Sequence, residues 1–160
     1  MTLKTLLFSA ARWLALAAGI AFIVFSLRGG KSFASAQDVF EAAKKSMDLS
    51  DTAEAEPSMI KRLYGIDPET LDGCYLLYPS TNMGAKELFV AKLSEGFDEE
   101  KLVQAINDRL DSQKKSFDGY GAEQFMLLND RSRIVCERGF VIFAVCPESD
   151  AVISAFRAAL

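Results

Sequence analysis

The reactive side chains of this sequence lack the residue that most often activates them. The chain of 160 residues contains no histidine, so the commonest general base and the commonest metal ligand are both missing. A serine nucleophile would then need a lysine as its base. Ser116 and Lys114 stand too close together on one predicted helix to form such a pair. The sequence therefore favours recognition over catalysis.

The carboxylates form clusters, but their positions have structural explanations. The acidic run 98–100 stands at the start of a predicted helix, where negative charge is favoured by the helix dipole. Asp67, Glu69 and Asp72 alternate loosely, yet their spacing is not that of a twelve-residue calcium loop. Asp67 is better explained as a helix cap before a proline. We therefore predict no catalytic residue, no metal site and no cofactor.

The three cysteines, Cys74, Cys136 and Cys146, show no CxxC spacing. Zinc sites need four ligands, usually in close-spaced pairs, so we interpret these thiols as small core residues. In a hairpin turned at residues 138–139, Cys136 lies opposite Val141, and Cys146 lies roughly five residues, or about 17 Å, further along. A disulfide tolerates only about 7 Å between Cα atoms. We therefore expect no disulfide between Cys136 and Cys146.

Residues 79–86 are the best candidate for a binding site. One predicted strand ends at Tyr78 and the next begins near Glu87, so about seven residues connect them where a hairpin needs about two to five. Loops beyond the minimum length are more often functional. Glu87 is expected to be solvated and a poor base at neutral pH. The predicted binding side chains are Ser80, Thr81, Asn82 and Lys86, flanked by Tyr64 and Tyr78.

A structural explanation of the same loop competes with this one. Asn and Gly are the residues that turns place at positive φ. Residues 79–86 would then be only a long hairpin connection, held by Asn82 and Gly84 in that conformation.

The helices and strands that must position this loop are predicted to form an α+β domain. Apolar residues at helical spacing predict helices over residues 37–47, 98–117, 122–128 and 150–160, and a short one over 59–64. Apolar runs between turn residues predict strands over 73–78, 87–93, 133–137 and 140–146. Residues 49–57 are polar and acidic and are predicted to be a loop. The resulting fold is a small antiparallel sheet of about four strands, in two hairpins, with helices packed on it.

The N-terminus predicts a transmembrane helix that precedes this domain. Residues 13–27 are uncharged and would span roughly 22 Å as a helix, against a hydrocarbon core of about 30 Å. Arg12 and Arg28 extend the span, since their charged heads can reach the two interfaces. We therefore divide the chain into a membrane segment with its linker, residues 1–34, and a domain, residues 35–160.

Three interpretations of this segment compete. A cleaved signal peptide would end after Ala36, at a pattern of small residues. That cleavage would destroy the capping box formed by Ser35 and Asp38, so an uncleaved signal anchor is favoured. A buried helix of a soluble protein is disfavoured, because this run is apolar on every face. Two basic side chains lie on each side, so orientation rests on the N-terminal amine, which favours a single-pass protein with an exported C-terminal domain.

Charge excludes one class of partner for the domain. Four of the 18 basic residues lie before Asp38, so 14 basic residues face 22 acidic ones and the domain has a net charge near −8. Such a domain repels phosphates, and no nucleic-acid partner is expected.

Four stretches, in this order and spacing, carry a family resemblance: SAQDVF, KRLYGI, YPSTNMGAKELFVAKL and SQKKSFDGYGAEQ. Together they resemble the bacterial domain-of-unknown-function family numbered 4358, from about Ser35 to the C-terminus. The resemblance implies a small domain carried behind a membrane anchor or lipoprotein signal in bacteria, and it implies no catalytic residues.

Three functions remain open at this point. The first is a membrane-tethered, extracytoplasmic binding or structural module of the bacterial cell envelope that acts on an envelope protein. The second is an envelope enzyme that uses carboxylates or a metal held by oxygen ligands. The third is a small subunit of a membrane complex, which a continuous exposed apolar patch would favour.

Overall fold

The computed structural model describes residues 30–160. Ser32–Leu160 form one compact unit. The predicted transmembrane run, residues 13–27, lies outside the described residues. Within residues 30–160, no helix combines the length and the hydrophobicity that crossing a membrane requires.

The domain is built on one antiparallel sheet whose strands follow the order β1-β2-β3-β5-β4. The predicted hairpins are both present, and they join through β3 and β5 at the centre. The α+β class is confirmed, but five strands replace the predicted four. The strands are β1 Thr52–Glu54, β2 Gly73–Pro79, β3 Glu87–Lys92, β4 Ser132–Glu137 and β5 Phe140–Val145.

The additional strand, β1, falls within the segment predicted to be a loop. It has three residues, Thr-Ala-Glu, of which only the threonine favours strands. It forms because β2 offers an open edge, and it pairs with β2 in the register Thr52↔Pro79 to Glu54↔Leu77. The loop prediction was wrong here because this strand depends on its partner and not on its own sequence.

Five α-helices and one 3₁₀ turn, Pro68–Thr70, complete the described residues. The predicted cap Ser35 is confirmed, since its side chain accepts the Asp38 N–H. Asp98, the first residue of the acidic run 98–100, caps the next long helix by accepting the N–H groups of Glu100 and Lys101. Ser58 precedes the predicted short helix 59–64 as a cap would, but it lies inside the first turn, because Pro57 already takes the first helical position. The helices are α1 Ala36–Lys44, α2 Pro57–Tyr64, α3 Glu99–Phe117, α4 Ala122–Asp130 and α5 Ser149–Ala159.

Two cores lie on opposite faces of the sheet, because successive side chains of a strand point to opposite sides. Leu88 and Val90 of β3 pack with α1 and α5, in what we call the α1/α5 face. Phe89 and Ala91 pack with α2, α3 and α4, in what we call the α2–α4 face. Every residue of β5 is buried, as expected of a strand covered on both sides.

The β4–β5 turn sets the positions of the cysteines. Arg138 and Gly139 both have positive φ, 54° and 84°, as a two-residue hairpin requires. Cys136 pairs with Val141 as predicted, and all three cysteines are free. Only Cys146 is buried, whereas Cys136 is exposed on the edge strand. The prediction of three core thiols was therefore wrong for Cys136.

The residues just before α1 are part of the packed domain. Ser32 is buried, and its Oγ donates a hydrogen bond to the Leu160 carbonyl at 2.8 Å. Its backbone N–H donates to the Arg138 carbonyl at 2.9 Å. Lys92 Nζ donates to the Ala34 carbonyl at 2.8 Å. The chain therefore enters the domain along a fixed path from Ser32 onward.

Candidate functional site

A buried carboxylate lies at the start of the central strand β3. The alternation along β3 turns Glu87 toward the α2–α4 face together with Phe89, and none of its surface is exposed. Tyr64 of α2 donates its phenol to Oε1. Arg109 of α3 donates from Nη2 to Oε2 at 2.9 Å and from Nε to Oε1 at 3.3 Å. Gln113, one turn further along α3, donates from Nε2 to Oε2 at 2.8 Å.

The expectation that Glu87 is solvated was therefore wrong. A carboxylate at the first position of an otherwise apolar strand resembles a solvated strand end in the sequence. Helices α2 and α3 cover that end, and burying an ion there is tolerated only when it is paired and hydrogen-bonded. Arg109 supplies the opposite charge, while Tyr64 and Gln113 occupy the remaining lone pairs.

Burial and charge fix the protonation of the groups around Glu87. Burial, followed by the negative charge of Glu87, raises the pKa of Tyr64 well above its usual value. Burial by itself would lower the pKa of Arg109, but the hydrogen bond and charge of Glu87 outweigh it, so that pKa is raised. Tyr64 is thus a neutral donor and Arg109 a permanent cation at neutral pH. Neither group can serve as a general base.

Gln113 has one polar atom that the surrounding protein does not satisfy. Only 5% of the residue is exposed. Because its amide NH₂ is directed at Glu87, the orientation of the amide is fixed and Oε1 must point the other way. Within residues 30–160, no group donates a hydrogen bond to that oxygen. A buried acceptor without a donor costs free energy, and such atoms in folded proteins call for an explanation.

Two adjoining cavities lie over this network, between α2 and α3. One has a volume of about 560 Å³ and extends past Tyr64 toward Lys101. The other has a volume of about 390 Å³, includes Gln113 in its lining and extends toward the β2–β3 loop. Arg62, Leu63 and Arg109 line both cavities. The two cavities therefore adjoin at these residues, and we call them together the α2–α3 cleft.

The structure brings part of the predicted binding set to this cleft. Tyr78, Thr81 and Asn82 line the smaller cavity, and Tyr64 lines the larger one. Ser80 is exposed but lines neither cavity. Lys86 also lines neither cavity.

Lys86 is held by a segment distant in sequence. Its Nζ donates to Asp48 Oδ2 at 2.6 Å and to Ser50 Oγ at 3.1 Å. This pairing lowers the pKa of Asp48. Lys86 lines a separate cavity beside Met126 of α4, so it does not belong to the α2–α3 cleft.

The turn explanation of residues 79–86 was wrong in its conformational detail. Among residues 30–160, positive φ occurs at Asp51, at Arg138 and at five glycines, and neither Asn82 nor Gly84 is among them. The loop is held instead by contacts to the segment before β1. Ser80 N–H donates to the Asp51 carbonyl at 2.8 Å, close to where Lys86 binds Asp48 and Ser50.

Three residues at the centre of the site, Glu87, Arg109 and Gln113, were not predicted to belong to it. Gln113 did carry a signal, because it interrupts the apolar stripe Leu102, Ile106, Leu110 and Phe117 along α3. A polar residue in such a stripe must find a buried partner. Glu87 and Arg109 carried no comparable signal.

The polar groups described for the cleft are suited to binding. Burial raises the pKa of Cys74 and Cys146 to about 11, and partial burial together with the carboxylate of Glu99 raises the pKa of Cys136 to about 11, so the thiols are protonated at neutral pH. No cluster of three or more Cys, Asp or Glu that could hold a metal occurs in the described part of the chain. Glu87 is occupied by its partners. The cleft offers donors, an acceptor and aromatic surface.

Comparison with known proteins identifies the family. A family model described as a domain of unknown function, DUF4358, matches residues 45–146. The chain belongs to the DUF4358 family. No curated protein and no solved structure matches it. The DUF4358 match contains all five strands and helices α2 to α4, with Tyr64, Glu87, Arg109 and Gln113, while α1 and α5 lie outside it.

Proposed function

We propose that this protein is a membrane-tethered binding module of the bacterial cell envelope, with its C-terminal domain outside the cytoplasm, and that the α2–α3 cleft recognises a partner without chemical conversion. The observation that carries the proposal is the unsatisfied Oε1 of Gln113, a residue in the lining of the cleft. The DUF4358 match, residues 45–146, includes every residue that lines the cleft.

Binding accounts for this atom better than catalysis does. An acceptor held in one orientation and left without a donor is satisfied when a ligand supplies an N–H or O–H group. Glu87, the carboxylate that an envelope enzyme would use, already accepts bonds from three side chains. That saturation disfavours the enzyme alternative.

The membrane tether rests on the uncharged run of residues 13–27 and on the fixed path of the chain into the domain. Cleavage after Ala36 would remove the buried Ser32, the carbonyl that binds Lys92, and the Ser35 cap of α1. These contacts support an uncleaved anchor. N-terminal sequencing of the mature protein tests this part, and a start at Gln37 would contradict it.

Site-specific photocrosslinking in intact membranes tests the cleft. A photoreactive phenylalanine analogue is placed at Asn82 or Tyr120, which line the cleft, and as a control at Ser154, which is exposed on α5. We expect a discrete adduct from the two cleft positions and none from Ser154.

The adduct should also depend on Gln113. In Gln113→Lys the ammonium group can still donate to Glu87, but the free acceptor is lost. We expect the Asn82 adduct to disappear in this variant while the protein remains folded by circular dichroism. Adducts that persist unchanged, or that form equally at Ser154, would contradict the proposed site.

A further inference from the structure

We propose that the ligand of the α2–α3 cleft is an extended, acidic peptide segment of a partner protein. This inference rests on the proposed function, and it adds the chemical class of the ligand. Three independent features of the cleft support it: a paired donor and acceptor, an excess of positive charge, and an elongated, partly aromatic shape.

Glu87 orients the side chains that supply the paired donor and acceptor, Arg109 and Gln113. Arg109 Nη2 and Gln113 Nε2 both donate to the same oxygen, Glu87 Oε2, at 2.9 and 2.8 Å. The two side chains lie one turn apart on α3 and are therefore neighbours. Each side chain also has one polar atom that is not bonded to Glu87. Arg109 Nη1 forms no hydrogen bond with a described residue, and Gln113 Oε1 accepts none from a described residue.

A residue of an extended chain matches this pair. Its own N–H and C=O point to the same side of the chain, so it can donate to Gln113 and accept from Arg109. A phosphate or a simple carboxylate offers acceptors alone and would leave Gln113 Oε1 unsatisfied. The network around Glu87 fixes the orientation of both side chains before a ligand arrives, which favours affinity.

The charge of the cleft is opposite to that of the domain. Arg62, Lys101 and Arg109 line the groove, and Asp108 is the one carboxylate in its lining. Arg62 and Lys101 have no carboxylate partner among residues 30–160, and Asp108 accepts from Gln104 at 2.8 Å. In a domain with a net charge near −8, two unpaired cations in one groove favour acidic partners and speed their association.

The shape favours an extended chain over a compact ligand. The two cavities are arranged side by side and are both open to solvent. The end near the β2–β3 loop is aromatic, with Tyr78, Phe117 and Tyr120 in its lining. Aromatic side chains give large contact area at a small entropy cost. We therefore expect acidic side chains to lie near Arg62 and Lys101, and an apolar residue to contact this aromatic end.

Affinity selection with defined peptide libraries tests the inference. The full chain, in detergent micelles, is immobilised and exposed to a degenerate octapeptide library built from Glu, Ser, Gly, Leu and Tyr. A matched library carries Gln in place of Glu. We expect the Glu library to be retained about tenfold more than the Gln library at low salt, with the difference shrinking as ionic strength rises.

Variants locate the retention within the cleft. Arg62→Gln and Lys101→Gln should each lower it about fivefold, and Gln113→Lys about tenfold. Lys115→Gln is the matched control. It removes the same charge as Lys101→Gln, but at an exposed position of α3 outside the cleft. Its retention should equal that of the unchanged protein.

The outcomes separate this inference from the proposed function. Equal retention of the two libraries, or equal loss in Lys115→Gln, overturns the acidic-peptide inference. If the cleft-dependent photocrosslink persists and alginate, an acidic polysaccharide, is retained instead of peptides, the site stands and the peptide class is wrong. If the photocrosslink and all retention are absent, the proposed function fails as well.

Discussion

The two faces of this sheet bury different kinds of side chain. On the α1/α5 face the buried side chains are apolar almost throughout, and Val39, Phe40, Val152 and Phe156 are at most 2% exposed. On the α2–α4 face the same sheet buries a carboxylate, a phenol and an amide beside a guanidinium. Apolar burial is favourable for any well-packed set of side chains, whereas a buried polar network is tolerated only if its members are satisfied.

This difference indicates which face of the sheet can hold a binding site. Among residues 30–160, the buried polar atoms without a partner include Ser149 Oγ at the start of α5 and Gln113 Oε1 on α3, and of these two residues only Gln113 lines the α2–α3 cleft. We therefore expect substitutions on the first face to change stability alone. Substitutions on the second face should change stability and binding in separable ways.

The largest effect is expected on the α1/α5 face. Phe156→Ala removes a fully buried ring that packs edge-on against Phe140. The free energy of unfolding should fall by about 3–5 kcal/mol, since the cavity left behind adds to the lost transfer energy. Urea unfolding followed by circular dichroism measures this. Phe33→Ala is the control, because Phe33 is fully exposed, and a comparable loss there would contradict the comparison.

A smaller loss is expected when the polar network of the other face is broken. Tyr64→Phe keeps the ring that stacks on Phe89 at 4.7 Å and removes only the hydroxyl that donates to Glu87. The buried carboxylate then lacks one donor, which should cost about 1–3 kcal/mol. The same urea titration measures it. No loss of stability would mean that Glu87 finds another donor.

The same variant should change how stability depends on high pH. The pKa of Tyr64 is raised on folding by burial and by Glu87, so the folded state keeps the proton that the unfolded state releases near pH 10. Stability from this group is complete below that pH and is lost as pH rises toward the folded value. The cysteines, with pKa values of about 11, contribute to the same decline in both proteins.

Tyr64→Phe should therefore lose stability less steeply than the unchanged protein above about pH 10. Thermal unfolding between pH 8 and pH 11 measures the difference. Parallel curves for the two proteins would exclude a contribution from Tyr64.

A helix cap on the α1/α5 face should have an effect of about 1 kcal/mol. In Ser35→Ala the helix α1 loses the oxygen that accepts from Asp38 N–H at 3.0 Å, and caps of this kind contribute about 1 kcal/mol. Ser58→Ala should change nothing measurable, because Ser58 lies inside the first turn of α2 and caps no helix. Equal losses in the two variants would refute the cap assignment.

The smallest effect on stability is expected in the β2–β3 loop. Asn82 is exposed and does not adopt positive φ, so Asn82→Ala should change the free energy of unfolding by less than about 0.5 kcal/mol. Because Asn82 lines the cleft, the variant should retain less of the Glu-containing library. A loss of stability without a loss of retention would restore the turn explanation of this loop.

Most elements of the fold were predictable from local sequence signals. Alternating or continuous apolar runs located four strands, and helical spacing with Asp98 and Ser35 located α3 and α1. The two turn residues Arg138 and Gly139 fixed the register of β4 on β5, and with it the distance between Cys136 and Cys146. These signals act over a few residues, so a chain read in order is sufficient to find them.

Part of the site was predictable for the same reason. Tyr78, Thr81 and Asn82 line the cleft, and they follow from the length and composition of the β2–β3 loop. Lys86 was placed with them by sequence proximity, but its ammonium group binds Asp48, 38 residues away.

The sequence by itself determined the fold class, the caps at Ser35 and Asp98, the two hairpins and the acidic charge of the domain, because each depends on neighbouring residues or on composition. Only the tertiary structure decided that β1 joins the sheet and that the carboxylate of Glu87 is buried. It alone brought Tyr64, Arg109 and Gln113, which lie 22 to 26 residues from Glu87, onto that carboxylate. The physical reason is that the burial of a polar group depends on which distant elements cover it, and no local pattern records that.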